Sequence, residues 1–176
     1  MSISFGATVP VEVVASTLAR GVEHLRQQAS RAAAGGADWL ELRLDRWPDG
    51  EDLALGDLGL PVLATCRMPR DGGVFAGSVE QRRVLLERAL VAGARGIDLE
   101  HWETWSPDHR PQRVVRSFHA TDGVPADLSA IREQLLAAGG DLTKIVVAPR
   151  ELADIAPAMA LLAAIDQRET PTVVFG

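Results

Sequence analysis

The feature that most constrains the fold is the alternation of short apolar runs with longer segments rich in alanine and leucine. The short runs predict β-strands at 2–9, 39–44, 61–66, 96–99, 113–118, 142–147 and 171–175. The longer segments predict α-helices at 17–34, 78–92, 128–138 and 152–165. This alternation indicates a parallel sheet, because consecutive parallel strands must be joined by crossover connections, which are usually helices.

Two parallel architectures fit this order: an open sheet with helices on both faces, and a (β/α)8 barrel. The pattern within the strands separates them. In 39–45, leucine alternates with Glu41, Arg43 and Asp45, so one face of this strand is apolar and the other is charged. An open sheet needs two apolar faces, whereas a barrel turns one face toward a lumen and keeps its active site at the C-terminal ends of the strands. We therefore predict an α/β fold of the TIM-barrel type.

The length of 176 residues fits one domain, and we assign 1–176 to a single domain. Barrels of this type usually have about 250 residues and eight strands, and this sequence supplies about seven. An unclosed barrel has two unpaired strand edges, which an isolated protein rarely tolerates. The barrel is therefore predicted to be incomplete, and the chain to be truncated before the last strand and loop.

The composition excludes several classes of partner. The net charge is −6, which argues against a nucleic acid or an anionic membrane surface. No apolar run approaches the roughly 20 residues of a membrane-spanning helix, and no signal peptide is evident. Cys66 is the only cysteine, so a cytoplasmic location is expected. The arginines at 82, 83 and 88 fall on a predicted helix with glutamates, which indicates a solvated, ion-paired surface.

The chain contains one lysine, Lys144, within the apolar run that predicts the sixth strand. An ammonium buried without a partner is costly, and a lysine in such a place tends to lose its proton and become a nucleophile for carbonyl carbon. The alternative is a strand-end lysine whose charged end reaches solvent. Its position alone leaves both interpretations open.

Polar residues collect near the C-terminal ends of the predicted strands, on the lumen face: Glu41, Arg43, Arg67, His119 and Lys144. A lysine that attacks a ketone and a histidine that moves protons near neutral pH are sufficient for imine chemistry. Arginine is suited to an anionic, oxygen-rich substrate. The residues therefore predict an enzyme that processes a carbonyl compound through an imine, without specifying which one.

Five short motifs follow one another along the chain: Glu41-Leu-Arg43-Leu-Asp45, Thr65-Cys-Arg67 with Asp71-Gly-Gly73, Ile97-Asp-Leu-Glu100, Ser117-Phe-His119 and Lys144-Ile-Val-Val147. Their order and spacing resemble those of type I 3-dehydroquinate dehydratase, over 38–176. Each motif alone is unspecific, whereas five in the same order are specific.

The resemblance implies a hydro-lyase of the shikimate pathway of aromatic amino acid biosynthesis, which converts 3-dehydroquinate to 3-dehydroshikimate. Lys144 would form a Schiff base with the C3 ketone, and His119 would take a C2 proton and then protonate the departing C1 hydroxyl. Asp71 matches an acidic residue that orients this histidine. The positions that match substrate-binding residues are Glu41, Arg43 and Arg67. The resemblance implies no metal and no organic cofactor, because the imine itself is the electron sink.

The chain also departs from the family pattern. Many members carry glutamate at the position of Asp71, and many carry an aromatic residue at that of Thr121. In the family, the strand matching 171–176 continues through a Met-Gly segment to an arginine that binds the substrate carboxylate, and later to a serine and a glutamine. The family is often dimeric and is also found fused to a shikimate dehydrogenase domain, so a homodimer and a longer polypeptide are both expected.

Two other functions stay open at the level of sequence. Another lysine-imine barrel, such as a class I aldolase, would use the same lysine for carbon–carbon cleavage. A non-catalytic, truncated remnant is the second alternative.

Overall fold

A computed structural model describes residues 11–166 and 170–176, which form a seven-stranded, all-parallel sheet in sequence order. The strands are β1 (Val14–Thr17), β2 (Trp39–Arg43), β3 (Val62–Thr65), β4 (Gly96–Glu100), β5 (Arg113–His119), β6 (Leu142–Val146) and β7 (Thr172–Phe175). The α-helices are α1 (Val22–Ala34), α2 (Val79–Val91), α3 (Leu128–Ala137) and α4 (Ala156–Ala164). Short 3-10 helices occur at Leu44–Arg46, Pro69–Asp71 and Leu152–Ile155. In the part of the chain that the structure describes, no helix is long and apolar enough to cross a membrane.

The sheet curls into an incomplete barrel. Lys144 on β6 places its Nζ 3.3 Å from Oε1 of Glu41 on β2. These strands are separated by four steps in the sheet, and neighbouring strands lie about 4.8 Å apart, so a flat sheet would hold the two backbones roughly 19 Å apart. The contact is therefore made across a lumen, and the prediction of an incomplete α/β barrel is confirmed.

Most predicted elements lie where the sequence placed them, and the N-terminal region is the exception. The strand predicted at 2–9 falls outside the described residues. The helix predicted at 17–34 begins later, at Val22, because Gly21 has a φ of +116°, which interrupts any helix that starts before it. The preceding residues, Val14–Thr17, form β1 and pair with β2 in parallel, a strand that the sequence analysis did not predict. The β-branched residues of this segment are the signal that would have indicated it.

The helix-facing side of the sheet is covered by two apolar clusters. The larger one packs β1 to β4 against α1 and α2, and its fully buried members include Leu25, Leu42 and Leu86. The smaller one lies under β6, β7, α3 and α4 and consists of Leu128, Leu135, Ile145, Val147, Ala158 and Leu161. Each strand thus turns one set of alternate residues toward these clusters and the other set toward the lumen.

The floor of the lumen is apolar. Trp39, Leu63 and Val115 form a third buried cluster, with Leu142 packed against it. These residues stand near the N-terminal ends of their strands, two positions before the next lumen-facing residue. That next layer is polar, so ionisable side chains are held between an apolar floor and the C-terminal ends of the strands.

Candidate active site

Polar and charged side chains from four strands and the segment after β3 meet in the lumen above the apolar floor. Period-two alternation places them there, because every second residue of a strand points to the same face. The set consists of Glu41 on β2, Arg67 after β3, Asp98 and Glu100 on β4, Ser117 and His119 on β5, and Lys144 on β6. The predicted residues Glu41, Arg67, His119 and Lys144 are thus brought together.

Lys144 is held between two carboxylates. Its Nζ lies 3.3 Å from Oε1 of Glu41 and 3.3 Å from Oδ2 of Asp98, and 13% of its side chain is exposed. The ring of Phe175 on β7 is 5.9 Å away. The sequence argument for a neutral amine assumed burial without a partner, and the structure supplies two partners. The amine is nevertheless fixed in the lumen rather than extended into solvent, which answers the alternative left open above.

The carboxylates beside Lys144 are held ionised. Burial alone would raise the pKa of Glu41, but Lys144 and hydrogen bonds from Ser16 and Thr65 hold it below its ordinary value. Burial would likewise raise the pKa of Asp98, yet the charges of Lys144 and Arg67 lower it to about 2. The lysine therefore faces fixed negative charge on two sides near neutral pH.

The two ring nitrogens of His119 have different surroundings in the lumen. Its Nδ1 lies 3.2 Å from Oε2 of Glu100, while its Nε2 is buried and has no hydrogen-bond partner within the described residues. Only 7% of the side chain is exposed. A buried ring nitrogen without a partner is uncommon in a purely structural histidine.

The two predicted arginines have different surroundings. Arg67 is buried and bridges the carboxylates of β4, with its Nη2 3.3 Å from Oδ2 of Asp98 and its Nε 3.4 Å from Oε1 of Glu100. Arg43 makes a bidentate pair with Asp45 through its Nε at 2.8 Å and its Nη2 at 2.9 Å. Burial alone would lower the pKa of Arg43, but the hydrogen bonds and the charge of Asp45 hold it above its ordinary value. Arg67 thus belongs to the network that contains Lys144 and His119, whereas Arg43 forms a separate ion pair with Asp45.

Asp71 is the last residue of the 3-10 helix Pro69–Asp71, after β3, and has other contacts. Its two carboxylate oxygens accept hydrogen bonds from Nε1 of Trp102 at 3.2 and 3.0 Å. Gly73 lies two residues after Asp71, and a Cβ there would lie 2.0 Å from the carbonyl oxygen of Arg67, so only glycine lets the chain fold back so closely. The carboxylate in contact with His119 is that of Glu100, not that of Asp71.

Three residues of the network have no catalytic role assigned to them from the sequence: Asp98, Glu100 and Ser117. The first two are almost completely buried, although carboxylates are seldom buried without partners. The hydroxyl of Ser117 bonds Oδ1 of Asp98 and lies 3.1 Å from Oε2 of Glu100. The signal in the sequence was the Ile97-Asp-Leu-Glu100 alternation, which places both carboxylates on the lumen face.

Fold and site together define a parallel α/β-barrel protein whose lumen, near the C-terminal ends of its strands, gathers a lysine, a histidine and an arginine. A sequence model of the family described as type I 3-dehydroquinase matches residues 13–176. The chain belongs to this family.

Individual relatives agree with this assignment. The chain is 31% identical to 3-dehydroquinate dehydratase of Methanothrix thermoacetophila, covering 97% of this chain and 75% of the relative. It is 29% identical to the bifunctional 3-dehydroquinate dehydratase/shikimate dehydrogenase of Arabidopsis thaliana, covering 84% of this chain and 27% of that protein. The crystal structure of 3-dehydroquinate dehydratase from Geobacillus kaustophilus HTA426 superposes with a TM-score of 0.74 at 22% identity, covering 97% of this chain and 75% of that one, which supports the fold.

Proposed function

We propose that this chain carries out the reaction for which its relatives are named, the dehydration of 3-dehydroquinate through an imine on Lys144. The observation that carries the proposal is the position of the Lys144 amine in the lumen, beside Asp98. Asp98 is connected through the hydroxyl of Ser117 to Glu100, which contacts His119. A class I imine mechanism needs this pair of groups: a primary amine for the ketone, and a base that works near neutral pH.

The proposed steps assign one task to each group. The Lys144 amine adds to the C3 ketone, and loss of water gives the imine. His119 removes a proton from C2, and the electrons move into the imine to form an enamine. The enamine returns its electrons as the C1–oxygen bond breaks, and His119 gives its proton to the departing hydroxide, which leaves as water. Hydrolysis of the imine releases 3-dehydroshikimate and restores the lysine.

The remaining predicted residues have supporting tasks in this proposal. Glu41 stands 3.3 Å from the amine and can accept a proton from it during addition of the ketone. Arg67 and Arg43 supply positive charge for the hydroxyl and carboxylate groups of the substrate. The family resemblance gives Asp71 the task of orienting His119, and that role is an untested prediction. Asp71 is bonded to Trp102 here, and the carboxylate that contacts His119 is that of Glu100.

Several properties of the whole protein are also proposals. We assign 1–176 to one dehydratase domain, with 3-dehydroquinate as the small-molecule partner, a cytoplasmic location and a homodimeric state. The Arabidopsis relative joins a dehydratase to a shikimate dehydrogenase, as its name states, and covers far more sequence than this chain. We propose the same kind of fusion as one context for this domain.

Borohydride trapping tests the imine directly. The protein is incubated with 3-dehydroquinate and borohydride, and its intact mass and peptide map are measured. We expect a gain of one ligand on Lys144, which is the only lysine, so that the N-terminal amine is the only other primary amine. The matched control is Lys144→Arg, which keeps a cation between Glu41 and Asp98 but cannot form the imine.

The same experiment discriminates between the functions. An adduct that forms only with aldol substrates supports a class I aldolase. No adduct with either kind of substrate supports a non-catalytic protein and contradicts the proposal. An adduct that persists in Lys144→Arg contradicts the assignment of the nucleophile.

A further inference from the structure

Glu100 lies at the C-terminal end of β4 and makes three polar contacts in the lumen. Its Oε2 lies 3.2 Å from Nδ1 of His119 and 3.1 Å from Oγ of Ser117, and its Oε1 lies 3.4 Å from Nε of Arg67. Only 1% of its side chain is exposed. Glu100 is therefore a junction between the histidine and an arginine, although no catalytic task is assigned to it above.

The contact with Glu100 determines where the imidazole carries its proton. A carboxylate oxygen accepts hydrogen bonds, so the 3.2 Å contact with Oε2 of Glu100 favours the tautomer in which Nδ1 of His119 is the donor. A neutral imidazole has a single N–H, and its other nitrogen then carries the lone pair. That other nitrogen, Nε2, is buried without a hydrogen-bond partner in 11–166 and 170–176. Its lone pair is thus not used by any group in the described part of the chain.

Ser117 reinforces this arrangement from the neighbouring strand. It is fully buried and stands two residues before His119 on β5, opposite Glu100 in the strand register. Its hydroxyl is within hydrogen-bond distance of both Glu100 and Asp98. The two carboxylates of β4 are thereby tied to the strand that carries the histidine, which limits rotation of the Glu100 side chain.

We propose that Glu100, braced by Ser117 and Arg67, is the positioning residue of His119, and that it fixes the tautomer in which Nε2 is the proton-accepting nitrogen. This proposal rests on the proposed function for its consequence, since it identifies the atom that exchanges the C2 proton. It also gives to Glu100 a task that the family resemblance assigns to Asp71.

Nitrogen NMR of histidine tests the tautomer without any substrate. The protein is labelled with ¹⁵N at histidine, and His119 is assigned by its loss in His119→Gln. We expect the neutral His119 ring of the wild type to carry its proton on Nδ1. In Glu100→Leu the acceptor is lost, and the proton is expected to move to Nε2, which an unconstrained imidazole prefers. Glu100→Gln keeps an acceptor oxygen and should retain the Nδ1–H form.

A matched control uses a second histidine in the same chain. Glu87 bonds Nδ1 of His109 at the surface, so Glu87→Leu should change the signals of His109 and leave those of His119 unaltered. Asp71→Asn tests the competing assignment, and we expect no change in the His119 tautomer. If Glu100→Leu does not fold, Glu100→Asp replaces it, because shortening the side chain withdraws the acceptor from Nδ1.

Two results would overturn the proposal: a wild-type His119 protonated on Nε2, or a Glu100 variant without the acceptor that still holds the Nδ1–H form. Borohydride trapping distinguishes a failure of this proposal from a failure of the proposed function. With Glu100→Leu we expect the borohydride adduct on Lys144 to form fully while turnover falls by roughly 10²-fold or more, the usual contribution of a positioned acid–base group. If the wild-type protein forms no adduct, the proposed function is contradicted, whereas the tautomer measured by NMR is unaffected.

Discussion

Asp98 couples the electrostatics of the site to the stability of the fold. It is fully buried, and the charges of Lys144 and Arg67 lower its pKa to about 2 from an ordinary value of 3.8. A carboxyl with a lowered pKa in the folded state contributes stability above the unfolded pKa and loses it as pH falls through the folded one. The contribution of Asp98 should thus be complete above pH 4 and disappear toward pH 2.

We predict that Asp98→Asn makes the free energy of unfolding depend less on pH in the acid range. The difference in unfolding free energy between wild type and variant should shrink by about 2 kcal/mol on going from pH 5 to pH 2. Urea unfolding at a series of pH values measures it. Asp57→Asn, which removes the same charge from an exposed position, is the control. A difference that stays constant across this range would contradict the assigned role of Asp98.

At the level of residues, alternation along each strand predicted which side chains enter the lumen, and it did so correctly for Glu41, Arg67, His119 and Lys144. Contacts between strands were not predictable in the same way. Whether Glu100 or Asp71 reaches His119 depends on the register of β4 against β5 and on the path of a loop. Neither is encoded in the period of a single strand.

Helix α2 shows how one element positions two others. Ser78 is its N-cap and forms a capping box, in which the side chains of Ser78 and Gln81 accept hydrogen bonds from each other's backbone amides. Arg82 then points inward and is fully buried, so its interpretation as a solvated surface residue was wrong. The error arose because an arginine beside glutamates has the same sequence pattern whether the helix turns it outward or inward.

Arg82 connects the helix to the ends of β3 and β4. Its Nε donates to the carbonyl oxygen of Cys66 at 2.7 Å and its Nη2 to that of Asp98 at 3.5 Å. Its Nη1 bonds Oε2 of Glu103 at 3.0 Å. Cys66 immediately precedes Arg67, so the guanidinium supports the backbone that carries two groups of the lumen.

We predict that Arg82→Met destabilises the protein by about 3 kcal/mol, because it removes the guanidinium donors from the carbonyl oxygens of Cys66 and Asp98 and leaves the buried Glu103 carboxylate with less positive charge beside it. Urea unfolding measures the change. Arg88→Met, on an exposed position of the same helix, should alter the midpoint little. The double variant Arg82→Met with Glu103→Leu should recover part of the loss, since it removes the buried charge as well. Equal effects of the two single arginine variants would contradict this role.

Across the whole molecule, the strands of the described sheet differ in their number of neighbours: a strand in the middle has two and a strand at the end has one. Strand β4 pairs with β3 and β5 on its two sides, whereas β7 pairs with β6 alone in the described part of the chain. The packing is also unequal, because the cluster under β6 and β7 is smaller than the one under β1 to β4. The two halves of the barrel should therefore open with different free energies.

We predict that backbone amides of β7 and α4 exchange with solvent faster than those of β4, because opening β7 breaks one ladder and one small cluster, whereas opening β4 requires global unfolding. Hydrogen exchange followed by mass spectrometry measures this order. Leu161→Ala removes a buried side chain from the smaller cluster and should lower the opening free energy of β7 by about 2 kcal/mol or more. Leu86→Ala, in the larger cluster, should instead speed exchange in β4. Equal protection of β7 and β4 would contradict this prediction and would mean that the sheet unfolds as one unit.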